Sequence, residues 1–455
     1  MLKTPTVTVL GTGYVGLTSA ALFAAAGIKT YVVDPNQSRL DSVQSGKSFF
    51  YEAGLDPIIS SVVRGGTLIP TASYETTVPE SDIIISAVGT PDNPDGSSNL
   101  QYVFAAAAQA AGLMKPDAIF VQKSTVPVGT GKQVLRIFAD KNITNAYVSN
   151  PEFLREGTAL ADSLWFDRIV VGGNNNQALE QVMALYKTVE AARDTIARIG
   201  SVSPPANRPQ QTYMTVGLES AEMIKVVSNA FLALKISFAN SIAPLADKAG
   251  ADVSEVLHAV GADPRIGNAF LGSGRGYGGG CFPKDVSGLI AAGLAMGVDL
   301  EIMQAAQSVN ESMPGYVVKK LQDALGGSLH GQHVAVLGLS FKAGTSDCRR
   351  SPAIHIANIL ISRGATVTAY DPKAAKEAAP MLRETVKLAD TAEQALQDAQ
   401  AVIVATEWPE FKTLPPETYA RCMAGRIFID AMNYCDRAAI AAAGLHYEGI
   451  GRSAV

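Results

Sequence analysis

Apolar residues recur along this chain in two rhythms. Short apolar runs bounded by glycine, proline or polar residues read as buried strands, and longer stretches with apolar positions three and four apart read as helices. Runs of the first kind are Thr6–Leu10, Thr30–Val33, Asp82–Val88, Ala118–Lys123 and Tyr147–Ser149. Helical stretches separate them, the first being Leu17–Ala26 with Gly27 as its C-cap. Strand and helix in alternation predict a parallel sheet covered on both faces. Each strand delivers polar residues at its C-terminal end: Asp34, then Gly89-Thr90-Pro91, Ser124–Thr130 and Asn150-Pro151-Glu152. In an open parallel sheet that edge is where ligands bind.

The proline-rich loop Ser203–Pro209 reads as a boundary. A long helical pattern follows, from about Val216 to Lys248, with Glu219, Met223, Val226, Ala230, Leu234 and Phe238 at helical spacing. Pro244 is predicted to kink or end it. A second α/β pattern opens at Gly331, with strands His333–Leu337, Ala365–Tyr370, Ala401–Ala405 and Arg426–Asp430. The fold class is α/β: two Rossmann-like, doubly wound parallel-sheet domains joined by a long central helix and a helical middle domain. The boundaries are placed at 1–212, 213–315 and 316–455.

Composition narrows the function classes. The chain has 455 residues, 47% hydrophobic and 17% charged, with net charge −5, so it has no basic balance for nucleic acid. Cys281, Cys348, Cys422 and Cys435 have neither C-x-x-C spacing nor partnering histidines, so neither a metal site nor a disulfide framework is expected. The chain passes at its start straight into a strand and a glycine turn, unlike a secretory leader. No apolar run reaches the ~18 uncharged residues that a membrane span needs. These features predict a cytoplasmic protein with no membrane or nucleic-acid partner.

Two stretches carry candidate chemistry. Gly11-Thr12-Gly13-Tyr14-Val15-Gly16 lies between a strand and a helix, and Asp34 ends the next strand. Glycines there permit a tight turn and close approach of a pyrophosphate, and the helix N-terminus favours its charge. A carboxylate at Asp34 accepts from a ribose diol and repels a 2′-phosphate, which favours NAD over NADP. The other stretch, Gly278-Gly279-Gly280-Cys281-Phe282-Pro283-Lys284-Asp285, sets a cysteine between flexible backbone and a Lys-Asp pair. Alone, Cys281 reads as a buried small residue. Beside a dinucleotide fingerprint it reads as a nucleophile, with Lys284 favouring thiolate and Asp285 handling a proton or a water. Lys225 and Asn229, four apart on the long helix, project from one face.

Taken in order, several motifs resemble those of the UDP-glucose/GDP-mannose dehydrogenase family, the nucleotide-sugar 6-dehydrogenases. They are Gly11–Gly16, Ser124–Thr130, Asn150–Gly157, Glu222–Lys225 with Asn229–Leu232, Gly279–Asp285, Gly338–Lys342 and Ser351–Ala353. The resemblance implies oxidation of a sugar C6 alcohol to a carboxylate with NAD, through a thiohemiacetal and a thioester on Cys281. UDP-glucose is the implied substrate, with GDP-mannose or a UDP-N-acetylhexosamine as the alternative, and a catalytically silent NAD-binding regulator as a third reading. Lys225 and Asn229 would stabilise an oxyanion, while Asp285 and Glu152, the latter through Thr125, would position or activate water. The cofactor set implied is Gly11, Gly13, Tyr14, Val15, Gly16, Asp34, Arg39, Thr90, Thr125, Glu156, Lys284 and Arg349. The nucleotide-sugar set is Glu152, Phe153, Leu154, Glu156, Lys225, Asn229, the loop with Gly272, Ser273, Gly274, Tyr277 and Gly278, and Phe341 and Lys342. Arg265 matches an arginine that reaches a neighbouring subunit's site, which implies a homodimer or higher homo-oligomer. One departure is Met432, in Asp430-Ala431-Met432-Asn433, where the family carries an arginine that touches the nucleotide sugar.

Overall fold

A computed structural model describes residues 4–207 and 210–452. Arg208 and Pro209, the end of the proline-rich loop, lie outside the described residues. The chain divides into two compact units, Met1–Ser228 and Asn229–Val455.

The first unit is built on an eight-stranded sheet. Its strands are β1 (Val7–Leu10), β2 (Thr30–Val33), β3 (Leu68–Thr71), β4 (Ile83–Ser86), β5 (Ile119–Gln122), β6 (Tyr147–Ser149), β7 (Arg168–Gly172) and β8 (Thr212–Val216). The order β3-β2-β1-β4-β5-β6 is the doubly wound arrangement, reversing between β1 and β4. β1, β2, β4 and β5 are buried throughout, as strands covered on both faces must be. The expected all-parallel sheet needs one correction: β7 runs antiparallel to β6, meeting it only at Ser149 and Gly172. β8 then pairs parallel with β7 at the edge.

The second unit holds a six-stranded parallel sheet of β9 (His333–Leu337), β10 (Thr366–Tyr370), β11 (Lys387–Leu388), β12 (Ala401–Val404), β13 (Ile427–Asp430) and β14 (His446–Gly449). Its order β11-β10-β9-β12-β13-β14 reverses between β9 and β12. One core runs from the sheet's Val334, Val336 and Ile403 to Ala239, Ala243, Leu257 and Met313 on helices ahead of it in the chain.

A helix occupies Leu218–Ala249, and the division between units falls within it. It does not end at Pro244, which lies inside it. Ala239, Ala243 and Ala246, on either side of the proline, are buried in the core, and that packing outweighs one absent backbone donor. By length and hydropathy this helix could cross a membrane, which the charge pattern alone did not suggest. It carries Glu219, Glu222, Lys225, Lys235, Asp247 and Lys248, and 44% of its most apolar window is buried in the protein.

Candidate active site

The glycine turn after β1 is shaped by contacts that exclude any side chain. Gly11 has φ +99, and a Cβ there would lie 2.7 Å from the Ala87 carbonyl; at Gly16 it would lie 2.0 Å from the Gly11 carbonyl. Gly13 differs, since nothing stands within 4 Å of where its Cβ would be. Protein packing therefore leaves Gly13 open, as a residue does where a ligand must approach the backbone. Gly13 also caps the helix Tyr14–Ala25, whose N-terminal N–H groups favour an anion.

Asp34, at the end of β2, braces the turn. Its Oδ2 accepts from the Thr12 N–H at 2.9 Å and from the Thr12 hydroxyl at 2.5 Å, and its Oδ1 accepts from Asn36 N–H at 2.9 Å. Arg39 lies 3.6 Å away. Burial pushes the Asp34 carboxyl upward, but the Thr12 and Asn36 donors and the Arg39 charge outweigh it and hold the group below its ordinary value. It stays ionised near neutrality. Tyr14 receives the Gly157 N–H on its hydroxyl, which ties the Glu156–Gly157 loop to the start of the first helix. Thr90, at the end of the β4 loop, is half-buried. Open glycine, helix N-terminus and ionised acid together fit a dinucleotide diphosphate and ribose.

Also in the first unit, Glu152 and Lys225 form a buried ion pair with Nζ 3.4 Å from Oε1. Glu152 in addition accepts from the Leu154 N–H. Its neighbour Phe153 presents its ring to the Lys225 ammonium at 5.4 Å and to the Arg168 guanidinium at 4.0 Å. Thr125 is half-buried and makes no hydrogen bond to Glu152. Glu222, one turn before Lys225, is 2% exposed and accepts from Gly129 N–H and Gly131 N–H, each at 2.7 Å. It thereby closes the N-terminus of the helix Thr130–Asp140, which follows the Thr125 loop. Burial, opposed by those two donors, raises its carboxyl above the ordinary range.

In the second unit Cys281 is exposed and caps the helix Phe282–Ala295. Pro283 suits that first turn, where its missing N–H costs nothing. A helix N-terminus favours an anionic sulfur. One turn on, Asp285 is buried and holds the Asn229 amide at 2.6 Å and the Lys284 ammonium at 2.7 Å. The Asn229 amide nitrogen keeps a second hydrogen for another acceptor.

Three neighbours crowd the run of glycines before Cys281. A Cβ at Gly278 would stand 2.4 Å from the Arg350 carbonyl, at Gly279 2.9 Å from the Phe341 ring, and at Gly280 2.4 Å from the Arg349 guanidinium. Arg349 itself makes a bidentate pair with Asp347. Further back the loop is pinned by asparagines that the sequence did not mark. Asn240 accepts from Gly274 N–H, Asn310 accepts from Tyr277 N–H, and Asn433 donates to the Ser273 hydroxyl. Gly272 is unhindered. Arg265 is exposed and pairs with Asp263 at 2.6 Å, and Lys342 lies 5.6 Å from the Phe341 ring.

Asp371, after β10, was also unmarked as functional. It accepts from Leu339 N–H at 2.7 Å and Ser340 N–H at 2.9 Å, bracing the turn after β9 as Asp34 braces the turn after β1. An acid ending the second strand of each α/β pattern was the available signal.

The doubly wound sheet, the open glycine turn and its acid define an NAD-dependent oxidoreductase. Three successive family models match the chain: the NAD binding domain of the UDP-glucose/GDP-mannose dehydrogenase family over residues 5–190, its central domain over 219–312 and its UDP binding domain over 335–437. The chain is 37% identical over 451 residues to the UDP-glucose 6-dehydrogenase of Rhizobium meliloti (strain 1021), covering 98% of this chain and 99% of that one. It is 38% identical over 453 residues to UDP-glucose 6-dehydrogenase TuaD of Bacillus subtilis (strain 168), covering 99% and 94%. Among solved structures, a UDP-glucose dehydrogenase from the hyperthermophilic archaeon Pyrobaculum islandicum superposes with a TM-score of 0.87 at 36% identity, covering 99% and 98%. The chain belongs to the UDP-glucose/GDP-mannose dehydrogenase family, and NAD is its cofactor.

Proposed function

We propose that this protein oxidises UDP-glucose at C6 to UDP-glucuronate, with Cys281 as covalent nucleophile. The observation that carries the reading is the exposed Cys281 thiol at a helix N-terminus, one turn from the buried Asp285–Asn229–Lys284 cluster. Relatives called UDP-glucose 6-dehydrogenase, aligned over nearly the whole chain, support the substrate.

NAD, when bound, accepts a hydride from the sugar carbon in each of two oxidations. The Gly11–Gly16 turn and Asp34 hold it, with Arg39, Thr90, Thr125, Glu156, Lys284 and Arg349 as further contacts. Cys281 adds its sulfur to the C6 aldehyde; the C–S bond forms as the C=O π bond breaks, and the oxygen takes the thiol's proton to become the hydroxyl of a thiohemiacetal. The covalent bond retains the aldehyde between the two oxidations. After the second, C6 is a thioester, and water adds to it and expels the thiolate, leaving a carboxylate. The Lys225 ammonium and the second Asn229 N–H stabilise the oxyanions of these additions. Asp285 or Glu152 takes the proton from water. Phe153, Leu154, Glu156, the Gly272–Gly278 loop, Phe341 and Lys342 hold the nucleotide sugar. The domain limits 1–212, 213–315 and 316–455 divide these tasks.

The protein works as a homodimer or larger homo-oligomer. Met223, Val227, Phe231, Phe238 and Leu245 are exposed along the Leu218–Ala249 helix at intervals of four and seven, an apolar stripe suited to a second copy. Arg265 is the residue that reaches the partner's site.

The test is NADH formed per UDP-glucose consumed by the purified protein. Two per sugar is the expected result. One would stop the reaction at the aldehyde and remove the role given to Cys281. None with UDP-glucose, but turnover of GDP-mannose or UDP-N-acetylmannosamine, would reassign the substrate.

A further inference from the structure

Arg275 is the largest side chain that is wholly enclosed, yet the chemistry above does not use it. Its Nη2 donates to the carbonyls of Phe341 at 2.9 Å and Ser340 at 3.2 Å and to the Thr406 hydroxyl at 3.3 Å. Its Nε and Nη1 are enclosed and have no hydrogen-bond partner. The charges of Glu407 and Asp371 raise its pKa against that burial, but among the described residues no carboxylate forms an ion pair with it. Burial pushes the guanidinium down to about 10, so it is still a cation near neutrality. An enclosed cation with two unsatisfied nitrogens carries a cost that an apolar residue of similar size would not.

Its position suggests what offsets that cost. Ser340 and Phe341 follow β9, Thr406 follows β12, and Ala431, which accepts the Arg275 N–H at 2.8 Å, follows β13. β9 and β12 are the strands between which the sheet order reverses, so Arg275 gathers the turns that form the crevice outside the strand ends. By binding the Ser340 and Phe341 carbonyls it also fixes those peptide planes. A trans peptide directs the following N–H the opposite way, so those of Phe341 and Lys342 turn from the guanidinium. The Phe341 N–H is taken by the Asp347 carbonyl at 3.0 Å, which closes the turn on itself.

We propose that Arg275 is a positioning residue and buried counter-charge for the diphosphate of the nucleotide sugar, shaping the Ser340–Lys342 turn and holding a positive charge that the bound dianion balances. This rests on the second unit binding the nucleotide part of the substrate. The probes are UDP, uridine and NAD, titrated calorimetrically into the full-length wild type, Arg275→Met and Arg275→Lys, with the melting temperature of each. Arg275→Met should weaken UDP by about ten- to a hundredfold. Uridine and NAD affinities should hold, and the melting temperature should stay level or rise, because an unpaired buried charge is gone. Unchanged UDP affinity overturns the proposal, as do equal losses for UDP and uridine, the signature of a merely structural arginine. Should Arg275→Met not fold, Arg275→Lys carries the same comparison: it keeps the charge without the fork, and equal losses for UDP and uridine again overturn the role. A wild type that binds neither UDP nor uridine would sink the nucleotide-sugar reading itself.

Discussion

At the scale of single residues, the chemistry depends on groups whose ionisation the fold controls. Replacing the Cys281 sulfur by oxygen should abolish overall turnover, because a serine hydroxyl stays neutral and is a poorer nucleophile than a thiolate, and the oxygen ester it forms is harder to hydrolyse than a thioester. The check is steady-state NADH production by Cys281→Ser, with mass spectrometry for a trapped sugar adduct; wild-type rates would remove the covalent scheme. Asp34 offers a pH test. Its folded pKa lies below the unfolded value of about 3.9, so its stabilising contribution is complete above that value and is lost as pH falls through the folded pKa. Asp34→Asn should therefore be less stable than wild type at neutral pH, with the gap closing in acid when melting is followed from pH ~7 to ~3. The same variant should discriminate less against NADP, since the repelling charge is gone. Met432 supplies no charge where the family resemblance expects arginine. Arg275 is a cation among those strand ends, and its backbone N–H bonds to the residue before Met432.

At the scale of elements, what the sequence made legible was periodic or contiguous. Buried parallel strands read as apolar runs, and the turn after β1 read from its glycines. β7 and β8 did not read. β8 is an exposed edge strand with no alternation, and β7 reverses direction by way of a loop whose course no local pattern specifies. The helix does not stop at Pro244, because propensity is local and burial is not. In the site, each motif was visible, but pairings across the chain were not: Asn229 and Asp285 meet from 56 residues apart. Glu222 was visible only as part of a motif, and its closing of the Thr130–Asp140 helix came from the fold. Glu222→Ala strips the half-buried Gly129 N–H and the buried Gly131 N–H of their acceptor and should cost about 2–4 kcal/mol by denaturant unfolding. The packing of Gly280 on Arg349 predicts that Gly280→Ala displaces Cys281 or the guanidinium. A shift of about 1 Å at the nucleophile can lower kcat on the order of a hundredfold with the fold intact. Steady-state kinetics together with circular dichroism would separate that outcome from unfolding.

At the scale of the whole molecule, the apolar stripe on the Leu218–Ala249 helix bears on assembly. Phe231 and Phe238 are 59% and 49% exposed, a solvation cost that a second copy would remove. Two charges in that stripe, as in Phe231→Glu with Phe238→Glu, should shift the protein to monomer in sedimentation velocity. If Arg265 serves a neighbouring site, the monomer should also lose turnover while its NAD affinity remains, because the Gly11–Gly16 turn and Asp34 lie within one chain. An unchanged sedimentation coefficient would place the contact elsewhere.

The exposure of Cys281 has a consequence for the protein's life in an oxidant. A sulfur open to a sugar aldehyde is open to peroxide as well, and its helix N-terminus favours the reactive thiolate. Cys348 and Cys435 are sheltered by burial, which pushes the Cys348 thiol up to about 12 and Cys435 higher still. Limiting peroxide should therefore convert Cys281 to the sulfenic acid before the buried thiols and stop turnover. Dithiothreitol should restore it, and bound nucleotide sugar should delay the loss.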